Sequence, residues 1–135
     1  MKKQPRAAVN PSSFMAHKPS WRFSNIRMRA PFGWDGISRV DMQGVVSRLA
    51  SLETMTWSDI LVTAKKHNHF CEVSALSKPA REIIEQDWQG ADRVVSIRLT
   101  NTKRIWGVIE RGICYLLWWD PAHEVFPSTY MDRFS

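Results

Sequence analysis

The residues of this chain with chemical capacity gather in three stretches. Asp120, Pro121 and His123 follow a strongly apolar run within RIWGVIERGICYLLWWDPAHEV, residues 104–125. Arg98, Lys103 and Arg104 surround the short polar stretch TNTK, and Lys65, Lys66, His67, His69 and Cys71 crowd KKHNHFC. A carboxylate placed before proline can cap a turn, because Pro lacks an N–H and cannot continue a central strand; this gives Asp120 a structural reading. His123, just beyond the same strand, occupies a loop position and has an ordinary pKa of about 6.5 that suits proton transfer, which gives the turn a catalytic reading. Three cations around one hairpin would neutralise a phosphodiester and the charge developing on its phosphorus if they share a face. Scattered, they would be edge charges that keep one sheet from pairing with another.

His67, His69 and Cys71 form H-x-H-x-C, but this spacing matches none of the familiar zinc pairs and no second pair stands nearby, so neither a metal nor a cofactor is expected. With Lys65 and Lys66 the segment reads instead as a basic strip able to touch phosphate. The sequence contains no P-loop, dinucleotide fingerprint, HExxH or GxSxG pattern. Two cysteines, Cys71 and Cys114, are too few for a disulfide framework, and Cys114 lies mid-strand as a small apolar side chain.

Charge is unevenly placed. The formal net charge is +6, yet residues 1–34 hold Lys2, Lys3, Arg6, Lys18, Arg22, Arg27 and Arg29 and no acid, while the rest of the chain balances twelve basic against thirteen acidic residues. Such an arm suits a nucleic-acid backbone or an acidic protein, and equally describes a solvated tail. Trp21 and Trp34, beside the arm, are candidates for stacking on bases, whereas Trp57, Trp88, Trp118 and Trp119 fall on apolar faces. No apolar run reaches the ~18 residues of a membrane span and no signal-like apolar core opens the chain, so a cytoplasmic protein with no membrane contact is expected.

The elements that must position these groups follow from periodicity. Residues 1–20 predict a basic arm and residues 21–135 a single α+β domain, with WRFSNIRM giving at most a short or bulged strand and PFGWDG a turn. Met42, Val45, Val46, Leu49 and Leu52 recur at helical spacing over 38–52. Thr56 followed by Asp59 predicts a capped second helix with Trp57, Ile60, Leu61 and Ala64 inward, ending near Lys65 and Lys66. HNHFCEVSAL has no clean period and reads as loop or short extended chain; SKPAREIIEQDW predicts a third helix. From residue 94 the period becomes 2. VVSIRL, RIWGVIE and ICYLLWW predict an antiparallel meander of three to four strands, the last covered on both faces because it lacks polar alternation.

The tail RIWGVIERGICYLLWWDPAHEVFPS resembles that of an uncharacterised bacterial family ending in R-I/V-W-G, a short hairpin and LLWWDP-x-H-x-V/I-x-P-S, and the resemblance extends to MTW at 55–57 and WRFSN at 21–25. More remotely, helices followed by a sheet bearing basic residues look like the RelE/ParE-like toxins of toxin–antitoxin pairs. That resemblance implies metal-independent cleavage of RNA on the ribosome, or gyrase poisoning, and inhibition by a small cognate antitoxin. It would assign Arg98 and Arg104 to phosphate, and His123, Tyr130 and Arg133 to the C-terminal proton-transfer group; DP-x-H, the basic arm and the additional helix depart from the toxin pattern. The expected function is a toxin-like ribonuclease in which Arg104, His123 and Tyr130 act in catalysis and Arg98, Lys103, Arg22, Arg27, Arg29, Lys65 and Lys66 hold nucleic acid. The alternative is a non-enzymatic module that docks a partner through the arm.

Overall fold

The computed structural model describes residues 14–126. Its centre is a five-stranded sheet built from β1 (Ser20–Arg22), β2 (Asn68–Glu72), β3 (Arg93–Thr100), β4 (Lys103–Glu110) and β5 (Ile113–Asp120), in spatial order β1-β5-β4-β3-β2. The expected meander β3-β4-β5 is present and antiparallel. The sheet as a whole is not: β1 lies parallel to β5, and β2 adds an antiparallel edge beside β3 from a position in the chain ahead of the last helix. The strands therefore do not simply follow the helices. The segment Asn68–Glu72 joins the sheet because its backbone pairs with the open edge of β3, a tertiary opportunity that leaves no mark on a segment without alternation.

Helix α1 (Arg39–Leu52) starts where Ser38 accepts a hydrogen bond from the Asp41 N–H at 3.0 Å. Its inward face is centred on Val45, Leu49 and Leu52, while Met42 and Val46, expected on that stripe, are exposed. Both lie on the flank of the apolar arc, and the sheet covers only its other side. The Thr56–Asp59 box forms in both directions at 3.1 Å. It opens a short segment whose wide turn, Asp59–Thr63, has π-helical bonding and ends before Lys65. This segment buries Trp57 completely, with its indole N–H donating to the Gly112 carbonyl at 2.8 Å. Helix α2 (Lys78–Asp87) turns Ala80, Ile83 and Ile84 inward.

The packed chain begins by Phe14 rather than at Trp21. Phe14 is buried, and the Met15 and His17 carbonyls accept from the Ser58 and Trp57 N–H groups at 2.9 Å.

Two cores sandwich the sheet. On one face Val95, Ile97, Ile105, Leu116 and Trp119 meet α1 and Trp57; on the other Val94, Trp106, Val108, Leu117 and Trp118 meet α2. Both faces of β5 are thus dry, as its unbroken apolarity requires. Between β4 and β5 the register slips: Trp106 opposes Trp118 but Gly107 opposes Leu116, leaving Leu117 as an extra residue. Its carbonyl is free of the ladder and accepts from the Arg27 N–H at 2.9 Å and the Trp34 indole at 3.2 Å, which anchors residues 26–34 along β5. A Cβ on Gly107 would stand 2.7 Å from Cys114 Sγ and the Tyr115 carbonyl, so the bulge needs glycine there.

Candidate anion-binding site

β3 outruns its neighbour. The β2–β3 pairing ends at Asn68 opposite Ile97, whereas β3 continues to Thr100, so its last residues have an open edge. Into that opening come three basic side chains. Arg48 reaches over from α1 and donates Nη2 to the Leu99 carbonyl at 3.2 Å. His67 precedes β2, its carbonyl accepting from the Arg98 N–H at 3.0 Å. Arg98 Nη1 lies 3.2 Å from His67 Nδ1. Together with Leu99, Thr100 and Asn101 they line a pocket of about 350 Å³ that, among the described residues, no acidic side chain lines. Because a guanidinium has no acceptor and stays protonated, Nδ1 must be the accepting nitrogen and Nε2 carries the ring hydrogen. The pocket is thus walled by two fixed positive charges, each with donors to spare, and one imidazole N–H.

Arg98 and Arg104 stand directly opposite each other in register and so share a face, as a three-cation cluster would require. Lys103 does not join them. Its ammonium crosses to α1 and pairs with Asp41 at 2.8 Å. Arg104 is held by its own hairpin through one nitrogen: its Nη1 donates to the carbonyls of Asn101, Lys103 and Thr100. Burial lowers its pKa, the Arg98 charge lowers it further, and Asp120 opposes both.

The Asp120 turn uses its polar atoms internally. Asp120 is fully buried, and its carboxylate accepts from the Glu124 N–H at 2.8 Å, the Val125 N–H at 3.0 Å and the Trp106 indole at 3.2 Å. Thr102 Oγ1 donates to the Pro121 carbonyl at 2.8 Å and ties this turn to the β3–β4 hairpin. His123 has a φ of 60° and its Nδ1 donates to the Phe126 carbonyl at 3.1 Å. The turn places Asp120 opposite Arg104 in register, with the Asp120 carboxylate and His123 Nδ1 both engaged inside the turn. Tyr130 and Arg133 lie outside the described residues.

The remaining expected nucleic-acid contacts divide. Lys65 and Lys66 are exposed on the turn that leads into His67. Arg22 is exposed on β1 and Arg29 on the loop after it, by the edge of the sheet opposite β2. Arg27 folds onto its own loop, donating Nε to the Pro31 carbonyl at 2.9 Å and Nη2 to the Ala30 carbonyl at 3.1 Å. Trp34 is buried against Trp119, and Trp21 packs edge-on to Trp57, so neither stands out as an open platform for bases. Arg48 was not legible as a site residue: it reads as the polar flank of α1, and its partner is half a chain away.

Cys71 lies 3.6 Å from His69 Nδ1, and burial pushes its thiol up to about 11; burial raises the Cys114 thiol as well. Neither is a poised nucleophile. Among the described residues no three His, Cys, Asp or Glu side chains converge as metal ligands, and no helix is long and apolar enough to cross a membrane.

Comparison with protein-family models, with curated proteins and with solved structures finds no match to this chain, so the chemistry of the pocket rests on its own geometry.

Proposed function

We propose that this protein acts on RNA, as a small toxin-like protein that grips phosphate at the open end of β3. One observation carries the reading: Arg48, His67 and Arg98, from three separate elements, converge on a pocket without an acid to neutralise them. Folding gains little from gathering like charges, whereas a phosphate oxygen rewards guanidinium forks and an imidazole N–H together. The excess of Lys and Arg over the whole chain adds the long-range attraction that draws a polyanion in. The test is fluorescence anisotropy of a labelled single-stranded RNA at several salt concentrations, with wild type and Arg98→Ala. Binding that weakens with salt and falls about tenfold in the variant supports the reading. Binding that is absent, or indifferent to Arg98, sinks it.

A second reading, metal-independent cleavage of the bound strand in the manner of RelE/ParE-like toxins, is favoured by the His67–Arg98 pair, which sets an imidazole beside a phosphate-binding cation. Inducible expression in a bacterial host separates the two. Growth arrest with RNA cleavage, abolished by His67→Gln and not by His123→Ala, marks a nuclease. Normal growth at high soluble expression leaves a binding protein.

A further inference from the structure

The pocket differs from a groove along which a strand could run. At about 350 Å³ it is at the small end of ligand sites, which span roughly 300–1,000 Å³, so it has room for a phosphate and its sugar rather than for several nucleotides. Positive charge on the hairpin side of its rim is already engaged within the fold. Lys103 is paired with Asp41, Arg104 keeps its charge but turns Nη1 onto the carbonyls of the β3–β4 turn, and Arg22 and Arg29 lie by the far edge of the sheet. A phosphodiester chain leaving the pocket in that direction meets an ion-paired ammonium and a guanidinium held by its own hairpin, rather than a row of unengaged cations. Toward the other side Lys65 and Lys66 precede His67 and are exposed.

We propose that the pocket formed by Arg48, His67 and Arg98 holds a terminal phosphomonoester of RNA, with Lys65 and Lys66 taking the phosphodiester next to it. The inference rests on the RNA reading above and specifies which part of the RNA is held. A phosphomonoester carries about −1.5 to −2 charges and three acceptor oxygens at neutral pH, against a single charge and two free oxygens on an internal phosphodiester. Two guanidinium groups facing a pocket with no acid match the former in charge. Each guanidinium has a donor pair to offer beyond the bond it already makes, and His67 Nε2–H supplies a further donor, which matches the former in oxygen count. His67 needs no extra proton for this role.

The experiment compares one short single-stranded RNA, labelled internally, with a 5′-phosphate, a 3′-phosphate or hydroxyl groups at both ends, by anisotropy against wild type, Arg48→Ala and Arg98→Ala. Adenosine monophosphate and inorganic phosphate serve as competitors. One phosphorylated end should bind about tenfold more tightly than the hydroxyl-ended strand, and each substitution should erase that preference while leaving the melting temperature near wild type. Equal affinity for all three strands, still dependent on Arg98, overturns the terminal-phosphate inference and leaves the RNA reading standing. No binding of any strand overturns both. Competition by the mononucleotide or by phosphate at the concentration where the RNA end binds overturns the assignment to RNA in favour of a free phosphomonoester. Because the end preference is read on wild type, a variant that fails to fold does not blunt the test.

Discussion

The Asp120 turn and the Arg48–His67–Arg98 pocket lie at the same end of one sheet and are built from equally suggestive residues, yet they have opposite hydrogen-bond balances. Asp120 is buried with three donors on its carboxylate, and His123 spends its Nδ1 hydrogen on a carbonyl of the same turn. Arg48 and Arg98 line the pocket with one side-chain hydrogen bond each and, among the described residues, no carboxylate beside them. Polar atoms that satisfy one another hold a fold together; polar atoms that are gathered and left with donors to spare are set for something that arrives. Arg98 and Arg104 repeat the contrast at closer range, since they face each other in register but only Arg104 turns a guanidinium nitrogen onto the carbonyls of its own hairpin.

Each substitution that follows breaks or sharpens this contrast. Asp120→Ala strands two backbone N–H groups and an indole in the interior, and should cost about 3 kcal/mol of stability in urea unfolding, with RNA affinity per folded molecule unchanged. A loss of affinity without a loss of stability would reverse the roles assigned to the two regions. Arg98→Ala should do the opposite, lowering RNA affinity about tenfold and reducing the slope of log affinity against log salt by about one, with stability almost unaltered. His123→Ala removes one hydrogen bond at a left-handed backbone position and should cost about 1 kcal/mol, with no effect on binding. Lys103→Met, at the same hairpin as Arg98, should change stability by less than ~1 kcal/mol and leave affinity intact, because its charge is already paired with Asp41.

A further effect concerns pH. Since burial raises the Cys71 thiol from its ordinary value of 9.0 to about 11, the folded chain holds that proton where the unfolded chain has lost it. The resulting stabilisation is complete below the ordinary value and disappears as pH rises through the folded one. Urea midpoints measured across this alkaline window should fall for wild type and fall less for Cys71→Ala.

The elements were legible wherever one local pattern sufficed. The three strands of the meander, helix α1 within 38–52, the Thr56–Asp59 box and the helix at Lys78–Asp87 all rest on periodicity or capping within a few residues, and all are present. Patterns that depend on what covers a face were not. Met42 and Val46 belong to the apolar arc of α1 but are exposed, because the sheet meets only part of that arc. The parallel β1 strand and the anchoring of residues 26–34 depend on a carbonyl released by the bulge at Leu117, which no reading of β5 alone supplies.

The same division runs through the site. Residue type by itself determined that Asp120 before Pro121 caps the end of a strand, because proline has no N–H to offer the ladder and a carboxylate accepts from the turn that follows. It also determined that Arg98 and Arg104 bracket a hairpin; that they share a face is decided by the register of β3 against β4. Only the tertiary structure decided which cations remain available. Arg48 from α1, His67 from the approach to β2 and Arg98 from β3 meet because β2 stops short of the end of β3, while Asp41 withdraws Lys103 and the hairpin carbonyls withdraw Arg104. Availability is a matter of partners. For Arg48, Arg98 and Lys103 those partners are distant in sequence, so spacing along the chain carries no trace of them.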